Sequence, residues 1–282
     1  MKKTGIINAL TVDVEDYFHV EAFASSISPD SWTGYELRVE KNVERILALF
    51  NSRQVKATFF ILGWVAERTP GLAGRIADAG HEIGCHGYAH QHIRRQSPAE
   101  FREDVRRARR ILMDQTGQAV ICYRAPSFSI TDKTLWALDI LAEEGFTIDS
   151  SIFPARHDLY GIADAPRFPY ERNGLIEFPP STIRKAKTNI GAAGGGYLRL
   201  FPYRFTRWAI RHINETEGKP AMVYFHPWEI DPEQPRIAAP LKSRLRHYTN
   251  LGKMFGKLER LLQDFRFSTI SDALARIFHT VS

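Results

Sequence analysis

Short apolar runs alternate with stripes of apolar residues at helical spacing along most of the chain. Apolar, β-branched or aromatic runs are typical of buried strands, and apolar positions three or four apart are typical of helices. The predicted strands cover residues 6–14, 57–62, 82–85, 120–123, 146–148, 175–178 and 222–225. The predicted helices cover residues 43–50, 70–79, 97–112, 131–144, 205–214 and 251–265, and a last strand and helix follow them.

Strands that alternate with helices predict a parallel sheet in an α/β fold. With seven or eight such units, the favoured architecture is a closed or nearly closed barrel, and an open doubly wound sheet is the alternative. Residues 154–172 and 227–240 are predicted as loops, and residues 191–196 as a flexible turn of glycine and alanine. No linker separates two independent domains, so we expect a single domain.

The composition is that of a globular protein: 44% of the 282 residues are hydrophobic and 25% are charged. The net charge of +6 is mild for this length. A nucleic-acid partner would require a concentrated basic stripe, and the densest candidate, residues 102–110, follows a helical period typical of a solvated face. We therefore expect no nucleic-acid partner.

Cysteine usage and apolar run length together predict a cytoplasmic protein. The two cysteines, Cys85 and Cys122, cannot build a disulfide framework for this length. Residues 6–12 reach the acidic Asp13 too soon for a signal peptide. The longest uncharged apolar run, residues 57–66, is about half of the ~18 residues that a membrane helix needs. No integral membrane segment is predicted, and a membrane-surface role stays open without support.

Ionisable residues follow the predicted strands at several separate places. In a parallel barrel the carboxyl ends of the strands share one rim, which is where barrel enzymes hold their active sites. These strand-end residues are Asp13, Glu15, Asp16, His86, Arg124, Asp149 and His226.

His86 and His90 are spaced so that one helical turn would bring both imidazoles to the same side, where they could share a cation with a carboxylate. Taken alone, the pair is more typical of two surface or core-capping histidines, and the acids at another strand end reverse that preference. Three acids within residues 13–16, directly after a buried strand, are costly unless a metal or an arginine compensates them. Strand alternation points Asp13 and Glu15 to one side, whereas Asp16 needs a bend to join them.

The remaining strand-end residues each have two readings. Arg124 would pair with Asp13 or would be an ordinary surface arginine. His226, followed by Pro227, would donate a proton to a leaving amine or would be a buried, hydrogen-bonded histidine. Asp149 would orient one of the histidines or cap a turn. No phosphate loop, nucleophile elbow or dinucleotide fingerprint is visible.

Five ordered motifs resemble those of the polysaccharide deacetylases of the NodB-homology group, carbohydrate esterase family 4. The motifs are Asp13-Val-Glu-Asp16, His86-Gly-Tyr-Ala-His90, Arg124-Ala-Pro126, Asp149-Ser-Ser151 and Phe225-His-Pro227. The chain is similar in particular to members associated with exopolysaccharide and exosortase loci. The resemblance covers a core of about residues 6–230, and residues 231–282 look like the C-terminal extension of that subgroup.

The resemblance implies a distorted (β/α)7 barrel with a C-terminal extension of helices and a strand. It also implies a divalent metal, usually zinc, and hydrolytic removal of acetyl groups from an N-acetylated sugar in a polysaccharide or its precursor. The alternatives are hydrolysis of a small cyclic amide or imide, and a non-catalytic glycan-binding member of an export assembly. A homo-oligomer stays open.

Carried over residue by residue, the resemblance implies a role for each motif position. Asp13 would be the base, oriented by Arg124, and His226 would be the acid. The metal ligands would be His86, His90 and either Glu15 or Asp16, because the adjacent acid pair of the family is replaced here by Asp-Val-Glu-Asp. Asp149 would belong to the catalytic set, and the substrate or oxyanion would be contacted by Ser127, Pro126 and Trp228.

Overall fold

The computed structural model describes residues 5–156, 160–186 and 188–279. Parts of three predictions lie outside the described residues. They are residues 1–4, which precede the apolar run judged too short for a signal peptide, residues 157–159 of the predicted loop at 154–172, and residues 280–282 of the predicted extension.

The described residues form eleven strands and ten α-helices. The strands are β1 (Asn8–Val14), β2 (Thr58–Ile61), β3 (Glu82–Cys85), β4 (Cys122–Tyr123), β5 (Ile148–Asp149), β6 (Tyr170–Arg172), β7 (Leu175–Glu177), β8 (Thr182–Lys185), β9 (Thr188–Gly191), β10 (Met222–Phe225) and β11 (Phe267–Ser268). The helices are α1 (Val39–Arg53), α2 (Gly63–Arg68), α3 (Leu72–Asp78), α4 (Pro98–Thr116), α5 (Trp136–Glu143), α6 (Gly195–Leu200), α7 (Tyr203–Arg211), α8 (Leu241–Tyr248), α9 (Leu251–Asp264) and α10 (Ile270–His279).

Seven parallel strands curl into a distorted (β/α)7 barrel in the order β10, β1, β2, β3, β4, β5, β7. β6 adds an antiparallel edge to β7, and β8 pairs only with β9. Beyond β7 the chain returns to β10, where Ser181 N donates to Met222 O at 3.3 Å and Met222 N donates to Ser181 Oγ at 2.7 Å. The predicted α/β barrel is therefore confirmed.

Strand alternation in β1 decides which residues enter the barrel. Leu10, Val12 and Val14 belong to the large core shared with the surrounding helices. Ala9 instead packs on the barrel interior with Phe60, Cys122 and Met222. Thr11 and Asp13, at the same parity as Ala9, continue this inner row towards the carboxyl end of the strand. An acidic side chain thereby reaches the rim from a strand that is otherwise apolar.

The C-terminal part of the chain completes the other end of the barrel. β11 pairs in parallel with the start of β1, at Asn8 and Ala9. Ile270, Ala273 and Leu274 of α10 pack against the interior side chains of β1, β2 and β4. This apolar floor leaves the opposite end, at the carboxyl ends of the strands, as the open one.

The sequence predicted most elements at nearly their observed places. α4 starts with the expected cap, because Ser97 Oγ accepts from Glu100 N at 3.3 Å and a Glu100 carboxylate oxygen accepts from Ser97 N at 2.7 Å. The strand pair β8–β9 was not predicted, and β6 lies inside the predicted loop at 154–172.

The predicted flexible turn at 191–196 is wrong. Gly194 pairs with Tyr224 in a parallel bridge, and α6 begins at Gly195. A Cβ atom on Gly194 would stand 2.3 Å from the Tyr224 ring, and Gly194 has φ +136°, so glycine is needed here for close packing.

Among the described residues, no helix combines the length and the apolar character needed to cross a bilayer.

Candidate active site

A cleft of about 660 Å³ opens at the carboxyl ends of β1, β3, β4 and β10. The strand ends thus converge as the barrel prediction requires. The residues of the predicted set that line the cleft are Asp13, Glu15, His86, His90, Ser127, His226 and Trp228.

Glu15, His86 and His90 form a candidate metal-binding triad. Their ligand atoms all lie within 4.8 Å of one another, and His90 Nε2 is 2.7 Å from Glu15 Oε2. His86 Nδ1 is 2.8 Å from the carbonyl oxygen of Arg124, which fixes the ring with Nε2 towards the triad. Glu15 Oε2 is fully buried without a hydrogen-bond donor of good geometry. Two imidazoles and one buried carboxylate oxygen fit the ligand set that zinc takes in hydrolases.

The protonation of the triad suits cation binding. Burial lowers the pKa of His86 to about 4, so the ring is neutral and can offer a lone pair. Burial alone would raise the pKa of Glu15, but the imidazoles of His90 and His226 hold the pKa of that carboxyl well below its ordinary value. Both groups therefore stand in the form that binds a metal ion.

The loop that carries the two histidines is turned inward by helix α4. Asp104 of α4 accepts from Tyr88 N at 2.7 Å. Gly87 has φ +73°, and a Cβ atom there would stand 3.0 Å from Asp104 Oδ2. His90 itself has φ +50°, in the left-handed region that favours glycine. The loop is thus a constrained turn, and the constraint points His90 at Glu15.

Asp16, the second of the two carboxylates that the sequence left open as metal ligands, lies outside the triad. Its carboxylate accepts from the backbone N–H groups of Tyr17 at 2.9 Å, Arg38 at 2.6 Å and Val39 at 2.8 Å. Arg38 and Val39 are at the amino end of α1, where a carboxylate satisfies free N–H groups. Asp16 turns away after β1 to hold this helix, and Glu15 remains in the cleft.

Asp13 and Arg124 form a buried ion pair. Arg124 Nη1 donates to Asp13 Oδ1 at 2.6 Å and to Thr11 Oγ1 at 2.7 Å, and Nη2 donates to Ser150 Oγ at 2.8 Å. Arg124 is wholly buried and its guanidinium lies over the Phe60 ring. The alternative reading of a surface arginine is therefore wrong. One oxygen of Asp13, Oδ2, remains directed to the cleft.

His226 stands across the cleft from these carboxylates. Its Nε2 is 3.8 Å from Asp13 Oδ2 and 3.7 Å from Glu15 Oε1, and its Nδ1 is 3.0 Å from Glu229 Oε2. Burial alone would lower its pKa, but the carboxylates of Glu15, Glu229 and Asp13 raise the pKa of His226 to about 9. The ring thus carries two protons at neutral pH and is a proton donor.

Two residues after β10 and one arginine of α6 hold the site in ways that the strand-end pattern did not predict. Trp228 Nε1 donates to Glu15 Oε1 at 3.0 Å, and the Trp228 ring stacks on His226 at 5.2 Å. Glu229 pairs with Arg199 of α6, whose Nε is 2.9 Å from Glu229 Oε1. For Glu229 the sequence carried a partial signal, because a proline followed by an acid two residues later, here Pro227 and Glu229, is typical of a helical first turn.

Asp149 contacts no histidine of the site. Its Oδ1 accepts from Ser151 Oγ at 2.5 Å, and Ser151 Oγ accepts from Ala125 N at 2.8 Å. Its other close neighbour is the carboxyl of Glu177. Asp149 therefore braces, through Ser151, the segment that precedes Pro126.

Ser127 and Pro126 occupy the short helical turn Pro126–Phe128 beside the triad. Ser127 has φ +54° and lines the cleft, so its backbone follows a tight course there. Pro126 is buried behind it and packs 3.7 Å from the position that a Cβ on Gly87 would take. The turn and the histidine loop thus support each other.

Comparison with known proteins agrees with this geometry. Residues 30–147 match the polysaccharide deacetylase family. This segment of the chain is similar to that family. Residues 150–275 match a second family, described as a domain of unknown function (DUF3473). His86, His90 and Arg124 thus lie in the deacetylase segment, whereas His226, Trp228 and Glu229 lie in the segment whose function is unknown.

Relatives of this chain include a peptidoglycan-N-acetylglucosamine deacetylase of Bacillus cereus. That protein is 36% identical over 96 residues, which is 34% of this chain and 35% of the relative. The matched segments span less than half the length of the curated relatives.

Two solved structures show that the fold is shared over nearly the whole chain. A Mycobacterium smegmatis protein assigned to the polysaccharide deacetylases has a TM-score of 0.62 at 22% identity, with 99% of this chain and 92% of that chain covered. An allantoinase has a TM-score of 0.64 at 16% identity, with 98% and 91% covered. At these identities the likeness concerns the fold alone.

Proposed function

We propose that this protein removes N-acetyl groups from an N-acetylated sugar in a polysaccharide or its precursor and releases acetate. The observation that carries the proposal is the convergence in one cleft of the triad, the Asp13–Arg124 pair and His226. The family match and the deacetylases among the relatives support the same chemistry.

Glu15, His86 and His90 would hold the metal, and the ligand set favours Zn²⁺. When bound, a divalent ion supplies a Lewis acid that polarises the acetamide carbonyl and makes a water more acidic. Trp228 orients Glu15 for this role through the bond to its Oε1.

Asp13 acts as the base in this mechanism. Arg124 occupies one oxygen of its carboxylate, which leaves Oδ2 to take a proton from the attacking water. The water oxygen forms a bond to the acetyl carbon, and the backbone N–H of Ser127 stabilises the negative charge on the carbonyl oxygen.

His226 completes the reaction from the other side of the cleft. As the C–N bond breaks, Nε2 gives its proton to the departing nitrogen, and the products are a free amino sugar and acetate. The distance of 3.8 Å between His226 Nε2 and Asp13 Oδ2 brings the acid and the base within reach of the same acetamide group.

The test is acetate release from N-acetylglucosamine oligomers by the zinc-loaded protein. Asp13→Asn should keep zinc affinity and lose about 100-fold or more in kcat, because the amide cannot accept the proton. His86→Ala should lose both turnover and zinc binding, measured by calorimetry. Asp114→Asn, an exposed aspartate on α4, is the matched control and should change neither.

Two results would overturn this proposal. If Asp13→Asn stays within a few-fold of the wild type, Asp13 is not the base. If the protein binds the oligomers without acetate release, it is a glycan-binding protein, and if it opens cyclic ureides instead, the substrate is a small cyclic amide, as the shared allantoinase fold would allow.

We further propose that the reaction takes place in the cytoplasm on an exopolysaccharide strand or its precursor. The resemblance to the exopolysaccharide subgroup supports this substrate. Cys85 and Cys122 are both buried and free, which is compatible with a reducing compartment. Fractionation of cells that produce the protein, followed by acetate assay of each fraction, tests the location.

A further inference from the structure

A chain of buried contacts runs from His226 to the C-terminal part of the protein. Glu229 Oε2 is 3.0 Å from His226 Nδ1, and Glu229 Oε1 is 2.9 Å from Arg199 Nε. Arg199 in turn donates from Nη1 to Thr249 O at 2.6 Å and from Nη2 to Arg246 O at 2.7 Å. Every polar atom of the guanidinium and the carboxylate thus has a partner.

Burial makes this arrangement demanding. Glu229 is 0% exposed and Arg199 is 2% exposed. A buried carboxylate or guanidinium costs several kcal/mol unless it is paired and hydrogen-bonded, so each member needs the other and the backbone carbonyls as well. Asn250 and Lys257 also hold the backbone of α6, through hydrogen bonds to Arg199 O. The connection between α8 and α9 therefore fixes Arg199.

The geometry also fixes the orientation of the His226 ring. The Glu229 carboxylate accepts from the backbone His226 N at 3.2 Å and so closes the turn that begins at His226. The same carboxylate accepts from His226 Nδ1. The Trp228 ring lies between the rings of His226 and His247, at 5.2 Å and 4.1 Å. With Nδ1 bound to Glu229 and one face covered, only Nε2 remains directed to Asp13 and Glu15.

We propose that Glu229, held by Arg199 and the α8–α9 connection, is the positioning residue that presents the Nε2 proton of His226 to the departing nitrogen. This inference rests on the proposed deacetylation and gives a role to the segment described as a domain of unknown function. In the step itself, the Nε2–H bond breaks as the new N–H bond forms and the C–N bond of the acetamide breaks. His226 ends neutral, with its Nδ1 proton still bound to Glu229.

The test compares two leaving groups. Zinc-loaded Glu229→Gln is assayed on N-acetylglucosamine oligomers and on an aryl acetate ester, whose phenolate departs without a proton. We expect the ratio of the two kcat/KM values to fall at least tenfold, with the change in kcat rather than KM. Zinc affinity by calorimetry should stay within threefold. A merely structural effect would lower both reactions together.

Asp264→Asn is the matched control. Asp264 pairs with Arg207 at 2.8 Å on the partly exposed side of α7 and α9, so this variant makes the same chemical change in an arginine pair outside the cleft. Its ratio should equal that of the wild type. If Glu229→Gln does not fold, the double variant Arg199→Gln/Glu229→Gln, which removes both buried charges, is assayed in its place.

A second readout needs no turnover. Nitrogen NMR of the His226 ring should show Nδ1 protonated in the wild type, and Glu229→Gln should change the Nδ1 shift. An unchanged ring spectrum, or an equal loss of amide and ester hydrolysis, would overturn the proposal. If the wild type releases no acetate while the ring spectrum responds to Glu229→Gln, the positioning stands and the proposed deacetylation fails.

Discussion

Two buried arginines hold carboxylates at this cleft, one from each half of the chain, and they leave those carboxylates in different states. Arg124 binds one oxygen of Asp13 and leaves Oδ2 directed to the cleft. Arg199 binds one oxygen of Glu229, and His226 binds the other. Similar ion pairs therefore produce an open carboxylate in the first half and a fully occupied one in the second.

The difference shows how the two halves divide the work. A carboxylate with a free oxygen can accept a proton, whereas a carboxylate with both oxygens engaged can only orient its partners. The first half, which contains the deacetylase segment, supplies the triad and Asp13. The second half supplies His226 and the contacts that hold it. We infer that neither half alone makes a complete site.

The largest expected effect is the loss of folding stability when each of the two arginines is replaced in turn. Arg124→Met should lower the free energy of unfolding by about 3–5 kcal/mol, because Asp13 is left buried without a counter-ion within 3.5 Å. Arg199→Met should lower the free energy of unfolding by a smaller amount, because Glu229 keeps His226 as a partner at 3.0 Å. Urea unfolding of the zinc-free proteins measures both.

A double variant sharpens this result. Asp13→Asn/Arg124→Met should regain most of the lost stability but none of the turnover, since the base is still absent. If Arg199→Met proves as costly as Arg124→Met, His226 does not compensate Glu229, and the contrast between the two pairs is wrong.

The next largest effect is on the pH dependence of folding stability. It comes from Asp104, which holds the histidine loop of the first half. Burial raises the pKa of Asp104 from 3.8 to about 6, although the N–H of Tyr88 favours the charged form. Because the folded-state pKa lies above the unfolded one, the stabilisation is present below pH 4 and is lost as the pH rises through 6. Relative to Asp104→Asn, the wild type should lose up to about 2 kcal/mol over this interval.

Urea unfolding of both proteins at intervals between pH 4 and pH 7 measures this difference. Asparagine keeps an oxygen that can accept from Tyr88 N and has no titration in this range. A difference between the two proteins that stays constant with pH would show that Asp104 is not perturbed by burial.

The strand-end chemistry of the first half was readable from the sequence because it depends on local pattern. The apolar run before Asp13 predicted a buried strand, and its alternation placed Asp13 and Glu15 on one side; both line the cleft, Asp13 from β1 and Glu15 just after it. His86 and His90 were predicted to meet on one helical turn; they do meet, but on a bend in which His90 has φ +50°. Asp16 could not be decided, because its partners in α1 are more than twenty residues away.

The second half was less readable because its contacts are distant in sequence. Arg199 meets Glu229 thirty residues later and the carbonyls of Arg246 and Thr249 later still, and no local pattern signals such pairings. The turn at 191–196 was mistaken for flexible because glycine also serves close packing, here against Tyr224. The local signals here were the position of His226 at the end of the predicted strand 222–225 and the spacing of Glu229 from His226 and Pro227.

The smallest expected effect is on zinc affinity, and it tests a direct contact between the two halves, the hydrogen bond from Trp228 to Glu15. Trp228→Phe removes the donor to Glu15 Oε1 but keeps an aromatic ring between His226 and His247. Hydrogen bonds to metal ligands from surrounding residues typically contribute about tenfold or more to metal affinity. Calorimetry should therefore show zinc binding about tenfold weaker, with little change in stability. Trp208→Phe, at an exposed tryptophan on α7, is the matched control and should bind zinc like the wild type. Equal zinc affinity in all three proteins would mean that the triad is complete within the first half, and that the second half acts only through His226.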